Sequence, residues 1–295
     1  MNIPAALESI PVWLRRHLLV KCLLVAFPKA HDQWIRFNGR AKAFVDLRDP
    51  ETRNVFLKQS FDPDFFEIAR RVLSEGGVFL DCGANFGLCT FGLLPLVDSS
   101  RLSCYLFEAN PNLIRYLEKS KSLFPSIPIK IIEGCLADRP GTSRFRINQE
   151  FTGHSHVALD GATIRQNVVL DDYLDQNNID RVTFLKLDLE GQELNTLRGA
   201  ARALDRAAIE VIYFEVRSEL LRRYDVTGDQ VLEFMRENSF RVFYCRDRDL
   251  LERPATQVRF VRHDLNQRRL AEVESVDDWL QTDLLAVHET QMVTP

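Results

Sequence analysis

Short apolar runs separated by amphipathic stretches dominate most of the chain. Val78-Phe79-Leu80, Leu102 to Phe107, Ile129-Lys130-Ile131-Ile132, Val182 to Leu187 and Ile209 to Phe214 have the composition and length of buried strands. Helical spacing of apolar residues separates several of them, over Pro111 to Lys121, Gln192 to Arg198 and Asp229 to Asn238. Strands alternating with helices in this way predict βαβ units and a mostly parallel sheet. Right-handed crossovers then set the strand C-termini along one edge, where open α/β sheets bind ligands.

Phe61-Asp62-Pro63-Asp64, followed by Phe65, Ile68, Val72 and Leu73 and closed by Gly76-Gly77, predicts a capped amphipathic helix. The main domain, 61–295, begins there, and 1–60 is read as a partly helical extension. Two stretches break the alternation. Gly141 to Asn148 has period-two character and leads into a polar loop, Gln149 to Gln166, so that about 141–168 reads as an insertion over the ligand edge. Arg241 to Cys245 and Asp283 to Val287 are strand-like with no convincing crossover helix before the second, which predicts an antiparallel final hairpin.

The chain has 295 residues, 45% of them hydrophobic, enough to bury one substantial core. Its net charge of -4 supplies no basic field for a phosphate backbone, so a general nucleic-acid binder is disfavoured. Cys22, Cys82, Cys89, Cys104, Cys135 and Cys245 lie far apart, with no C-x-x-C pair. This pattern predicts reduced thiols in a cytoplasmic enzyme rather than a disulfide framework or zinc knuckle. The apolar run within Trp13 to Phe27 is interrupted by Arg15, Arg16, His17 and Lys21. Its uninterrupted part, Cys22 to Phe27, is too short for a membrane span. Packing on the protein's own body is the expected role, with contact to a membrane surface or a partner as the alternative.

Asp81-Cys82-Gly83-Ala84-Asn85-Phe86-Gly87 sits between a buried strand and a helix-compatible run. Its glycines allow a tight turn and close backbone approach, and the following amides suit a carboxylate; a plain strand-to-helix turn is the simpler reading. Glu108 ends the next strand, placed to accept hydrogen bonds from ribose hydroxyls or to cap a helix at Pro111. Nicotinamide dinucleotides are disfavoured, because Asn85 and Leu88 occupy the second and third glycine positions of their fingerprint. In Phe184 to Glu193, strand geometry puts Lys186, Asp188 and Glu190 on one side and Leu185, Leu187 and Leu189 on the other. Such charges are costly inside a sheet unless paired or part of a site, and Glu215 can join either arrangement.

The combination of Leu80 to Gly87, Phe107-Glu108-Ala109-Asn110-Pro111 and Phe184 to Glu193 with Leu197-Arg198-Gly199-Ala200 resembles the FkbM-type methyltransferases, over about Phe61 to Val287. The resemblance implies an α/β, Rossmann-like class I methyltransferase fold: a mostly parallel seven-stranded sheet, an antiparallel C-terminal hairpin and helices on both faces. It implies S-adenosyl-L-methionine as cofactor and O-methylation of a sugar or hydroxylated natural product as activity. Asp81, Gly83 and Gly87 would hold the methionine end, Glu108 the ribose, and Cys135, Leu136, Ala137 and Asp138 would lie beside adenine. Ala84, Asn85, Phe86, Ala109 and Asp188 complete the cofactor set. Cys82 replaces an aliphatic residue usual in the family, and Ala109 stands where proline is frequent.

Methyl transfer to a hydroxyl also requires a proton acceptor, and the candidates are Asp188, His154 and His156. No third ligand accompanies the His-x-His spacing, so no metal is expected. The expected partner is a small-molecule or glycan acceptor. A nicotinamide-dependent oxidoreductase and a non-catalytic cofactor-binding regulatory module are the alternative function classes.

Overall fold

The computed structural model describes residues 17–27, 31–245, 255–256, 270–271, 273 and 281–291. Its helices are α1 (His17–Ala26), α2 (Pro50–Lys58), α3 (Pro63–Val72), α4 (Leu88–Leu93), α5 (Pro111–Lys121), α6 (Leu170–Gln176), α7 (Glu193–Arg198), α8 (Ala201–Asp205), α9 (Ser218–Leu221) and α10 (Gly228–Glu237). None of the described helices is long and apolar enough to cross a membrane. The main sheet is built from β3 (Gly77–Cys82), β4 (Leu102–Glu108), β5 (Ile129–Glu133), β10 (Val182–Leu187), β11 (Ile209–Arg217), β12 (Phe240–Tyr244) and a last strand, β13 (Gln281–His288). A hairpin, β1 (Asp32–Phe37) and β2 (Ala41–Asp46), precedes it. The insertion contributes β6 (Cys135–Leu136), β7 (Thr142–Arg146), β8 (His156–Val157) and β9 (Thr163–Val168).

Across the seven-stranded sheet the order is β12, β13, β11, β10, β3, β4, β5. The five strands from β11 to β5 are parallel. The last strand slots between β11 and β12, antiparallel to both. The fold is therefore the Rossmann-like α/β arrangement with an antiparallel C-terminal pair.

Side chains alternate between two apolar layers, as the pleat requires. Phe79, Phe184, Tyr213 and Leu285 pack with residues of α3, α4 and α5 on one face. Leu80, Leu185, Ile212 and Leu284 pack with α6, α7, α8 and α10 on the other. Asp62 caps α3 by accepting a hydrogen bond from the Phe65 amide, with Pro63 in the first turn. Phe65 is fully buried, stacked on Phe184 at 5.9 Å and edge-on to Phe66 and Tyr213 at 5.1 and 5.3 Å.

Two regions differ from the sequence reading. The segment before Phe61 contains the β1/β2 hairpin, turned at Asn38 and Gly39, both at positive φ (46° and 78°). Ile35, Phe37, Ala41, Ala43 and Val45 are buried in the same core as α3 to α5, and Val20 of α1 joins them. Val25 and Phe27, at the far end of α1, are exposed. In the insertion, Thr163 to Val168 is strand β9 rather than loop. It pairs with β7 from Phe145↔Thr163 to Thr142↔Gln166, a partner supplied from twenty residues away. The polar Arg165, Gln166 and Asn167 carry no apolar alternation to reveal it.

Truncating Phe65 empties the contact between α3 and the sheet centre. Phe65→Ala should cost about 3–5 kcal/mol in denaturant unfolding; a cost below about 1 kcal/mol would show that the neighbouring rings close the gap.

Candidate active site

The C-terminal ends of β3, β4 and β10 converge on one cleft. After β3 the chain turns at Gly83 (φ 79°), whose amide and that of Ala84 both donate to the Phe107 carbonyl at 3.0 Å. Any Cβ at Gly83 would stand 1.9 Å from the Asp188 carbonyl oxygen, so glycine is what lets these strand ends approach. Asn85 follows in the left-handed region (φ 50°). Its amide donates to Glu108 Oε2 at 2.7 Å, and the Asn110 amide donates to Oε1 at 2.7 Å. Burial pushes the Glu108 carboxyl up, and the two amide hydrogen bonds oppose that shift. Each oxygen keeps a further acceptor position.

Beneath this turn lies Lys186, paired with Asp81 at 3.4 Å and Asp188 at 3.3 Å and donating to the Gly83 carbonyl at 3.3 Å. Burial opposes its charge, but Asp188 and Asp81 together hold its pKa well above the ordinary lysine value. Asp81 has no exposed surface, and its other oxygen accepts from the Thr90 hydroxyl at 2.6 Å. Asp81 supports the floor and does not line the cleft.

The strand-end turns and the insertion line the cleft together. Of the residues the sequence nominated for cofactor binding, Gly83, Asn85, Glu108, Ala109, Cys135, Leu136 and Asp188 lie on its wall, together with Phe107, Phe145, Leu189 and Gln192. Ala84 faces a second cavity instead, and Phe86 is buried against Tyr116. Gly87 fits under Phe91, where a Cβ would stand 2.4 Å from the ring. Ala137 and Asp138 line an outer groove.

The second cavity, of about 1090 Å³, shares Gly83, Asn85, Asp188 and Glu190 with the cleft. It adds Glu51, Glu215, Arg217, Asp283 and His154. A clamp closes over the junction. Thr152, in a short 3₁₀ turn of the insertion, donates from its amide to Asp49 at 2.8 Å and from its hydroxyl to Asn85 at 2.8 Å. The Asn85 amide group donates in turn to Glu51 at 3.2 Å. Asp49 and Glu51 begin α2, so residues before Phe61 form part of this site.

Within Asp188 to Glu193 the carboxylates do different things. Asp188 pairs with Lys186. Glu193 accepts from the Leu189 and Gly191 amides at 2.9 and 3.3 Å, which fixes the turn. Glu190 sits in the left-handed region (φ 56°), nine-tenths buried, with Oε2 lacking any hydrogen-bond partner and Arg217 at 3.8 Å from Oε1. Burial, reinforced by Asp188, pushes its carboxyl up to about 7. Burial likewise carries Glu193 to about 7, Glu51 to about 8 and Glu215 to about 9. The period-two charge pattern points to Glu190, whereas nothing local in the sequence marks Glu51.

His154 is exposed and packs one face against Phe151 (ring centroids 4.1 Å apart), and partial burial with Arg217 and Arg223 depresses its pKa. It lines the second cavity. His156, whose Nδ1 lies 2.9 Å from the His154 carbonyl oxygen, faces outward grooves only. Among the described residues the one cluster with metal-ligand spacing is His31, Asp32 and Asp46. Its carboxylates are engaged by Arg115 at 2.9 Å and Arg48 at 2.6 Å, which gives it a structural role in tying β1 and β2 to α5.

The family model described as the methyltransferase FkbM domain matches residues 81–242. Hexuronic acid methyltransferase AglP of Haloferax volcanii is 22% identical over 152 residues, 51% of this chain and 61% of that protein. Among solved structures, methyltransferase FkbM from Methylobacillus flagellatus KT is similar at a TM-score of 0.44 and 17% identity, over 72% of this chain and 44% of that one. A SAM-dependent methyltransferase from Agrobacterium tumefaciens follows at 0.43 and 10%, over 87% and 69%. The chain thus spans less than two thirds of the length of both the AglP and the Methylobacillus proteins.

Several buried carboxyls hold their protons to a higher pH in the folded protein than in the unfolded chain, where they ionise near about pH 4.3. The folded state then binds more protons between those values, so stability falls as pH rises from about 5 through the folded values of 7 to 9. The thermal midpoint should decline over that range. Glu190→Gln should remove part of the decline and be more stable than wild type at about pH 8, by on the order of 1–3 kcal/mol. A midpoint that climbs steadily with pH, or a variant less stable than wild type at that pH, would contradict this assignment.

Proposed function

This chain belongs to the FkbM family of methyltransferases, and from that premise we propose that it moves the methyl group of S-adenosylmethionine to an oxygen of a sugar or of another hydroxylated small molecule. The observation that carries the reading is Glu108. Its oxygens are already anchored by two backbone amides and still present acceptor positions on the cleft wall, the arrangement a vicinal ribose diol requires. Phe107, Leu136, Phe145 and Leu189 offer the apolar wall that a purine needs, so the donor set and the cleft suit this cofactor. When bound, the cofactor supplies an electrophilic methyl group on a sulfonium.

The remaining work falls to this chain: hold the acceptor oxygen in line, exclude water and take a proton. The second cavity, open to the cleft through Gly83, Asn85, Asp188 and Glu190, is the acceptor's place in this reading. Of the three proton acceptors named from sequence, Asp188 is committed to Lys186 and His156 faces outward. His154 is the histidine on the cavity wall, and the depression of its pKa by partial burial and by Arg217 and Arg223 favours the neutral form that can accept a proton. Glu190 joins it as a second candidate through its unpartnered oxygen. The hexuronic acid methyltransferase relative supports a sugar as the acceptor class.

Calorimetry with S-adenosylhomocysteine tests the cofactor assignment. Glu108→Ala should weaken binding by about 1.5–3 kcal/mol, roughly tenfold or more. Unchanged affinity, or preference of the wild type for NAD, would overturn it. With cofactor saturating and an accepted sugar in hand, the variant lacking the proton acceptor, His154→Ala or Glu190→Gln, should lose about 10²–10⁴-fold in kcat with cofactor affinity retained. Near-normal turnover in both would assign the proton to water.

A further inference from the structure

We infer that the acceptor carries an anionic group, and that Arg217 and Arg223 at the mouth of the second cavity receive it. The inference rests on the methyl-transfer reading and names the substrate class of that same site. Its basis is the way charge is distributed from the floor of the cavity to its mouth. Inside, the wall carries the acidic side chains Glu51, Asp62, Asp188, Glu190, Glu215 and Asp283 beside Lys186 and Arg217; Lys186 is already engaged by Asp81 and Asp188, and burial pushes Glu51, Glu190 and Glu215 up to about 8, 7 and 9. Outside, a groove that shares His154, Glu190 and Arg217 with the cavity is lined by Arg146, Arg217 and Arg223 together with Glu190 and Glu219.

These arginines differ in how far they are neutralised. Elsewhere arginines close to carboxylates are satisfied, Arg48 by Asp46 at 2.6 Å and Arg202 by Asp172 and Asp175 at 3.0 and 2.8 Å. At the mouth, Arg146 is engaged by Asp160. The nearest carboxylate to Arg217 is Glu190 at 3.8 Å, beyond hydrogen-bond distance. Arg223 has neither an ion pair nor a hydrogen bond among the described residues. Both guanidiniums nevertheless act on the groups at the junction, since each depresses the pKa of His154 and partly offsets the rise at Glu190.

The backbone that carries them is held firmly. Arg217 is the last residue of β11, and Arg223 lies in the turn that follows α9. Tyr224 anchors that turn by donating to the Val157 carbonyl of the insertion at 2.7 Å. Gly191 packs so closely beneath it that a Cβ would stand 2.6 Å from the Leu220 carbonyl oxygen. Two guanidiniums on a fixed support match the planar, forked geometry of a carboxylate or phosphate. The polarity also dictates orientation. Directed inward, an anionic group would meet the acidic side chains of Asp188 and Asp283, whereas directed outward it meets Arg223, which has no carboxylate partner among the described residues, and leaves a neutral hydroxyl at the junction with the cleft.

A sugar carboxylate and a sugar phosphate share this chemistry, so the test includes both. Full-length protein is titrated with glucuronate, glucose 6-phosphate and glucose, with and without saturating S-adenosylhomocysteine. One or both anionic sugars should bind about tenfold or more tightly than glucose, and Arg223→Gln and Arg217→Gln should each erase about tenfold of that preference. Arg223→Lys should restore part of it, and affinity for glucose should stay as it was. Preference for glucuronate identifies a sugar acid, and preference for the phosphate a phosphorylated sugar. Equal binding of all three, failure of both anions to bind, or anion binding indifferent to the two arginines overturns the inference. The titration with S-adenosylhomocysteine alone reports separately on the cofactor assignment.

Discussion

A buried ammonium holds the site together. Lys186 on β10 stands in register beside Asp81 on β3, on the sheet face covered by α3 to α5, and reaches forward to Asp188 and the Gly83 carbonyl. Unpaired, such a charge would be costly to bury, and removing one partner of a buried pair commonly costs about 3–5 kcal/mol because the other is stranded. With both carboxylates in place the charge ties the turn after β3 to the turn after β10. Everything the cleft requires follows from those turns: Gly83 against the Asp188 carbonyl, the Asn85 amide on Glu108, and the opening toward the second cavity.

Backbone strain gathers at the same place. Most non-glycine residues at positive φ, such as Gln59 and Asp225, sit at helix ends or turns, where that conformation ends an element. Asn85 and Glu190 instead face the cleft. A side chain held in the left-handed region costs on the order of 1 kcal/mol and persists only where surroundings fix it. For Asn85 the fixing groups are Glu108, Thr152 and Glu51; for Glu190 they are the neighbouring Glu193, which holds the Leu189 and Gly191 amides, and the close packing of Gly191 on α9. The two residues thereby share the boundary between the cleft and the second cavity.

The insertion and the N-terminal hairpin act as one lid support. Thr152 bonds both Asp49 and Asn85, so the cover of the site is fastened to α2 on one side and to the glycine turn on the other. The β1/β2 hairpin that positions α2 is itself fixed to α5, where the Tyr116 hydroxyl donates to Asp32 at 2.5 Å and Arg115 pairs with the same carboxylate.

The parallel sheet, the helices between its strands and the antiparallel final pair were legible in the chain because each rests on local apolar periodicity or on caps and breakers, as at Asp62-Pro63 and Gly76-Gly77. That Gly83, Asn85, Glu108 and Asp188 would meet on one cleft wall was legible because they fall at strand ends, and strand ends of a parallel sheet share an edge. Asp81 shows the limit of that rule, since strand-end position alone does not say whether a carboxylate faces the cleft or a buried lysine; here the register between β3 and β10 decided it. Tertiary structure alone also recruited Glu51 through the Asn85 and Thr152 bonds, set His154 but not His156 on the second cavity, and left Arg223 unpaired among the described residues at the mouth. These outcomes depend on which side chains meet across distant segments, and local patterns of polarity along the chain carry no record of such meetings.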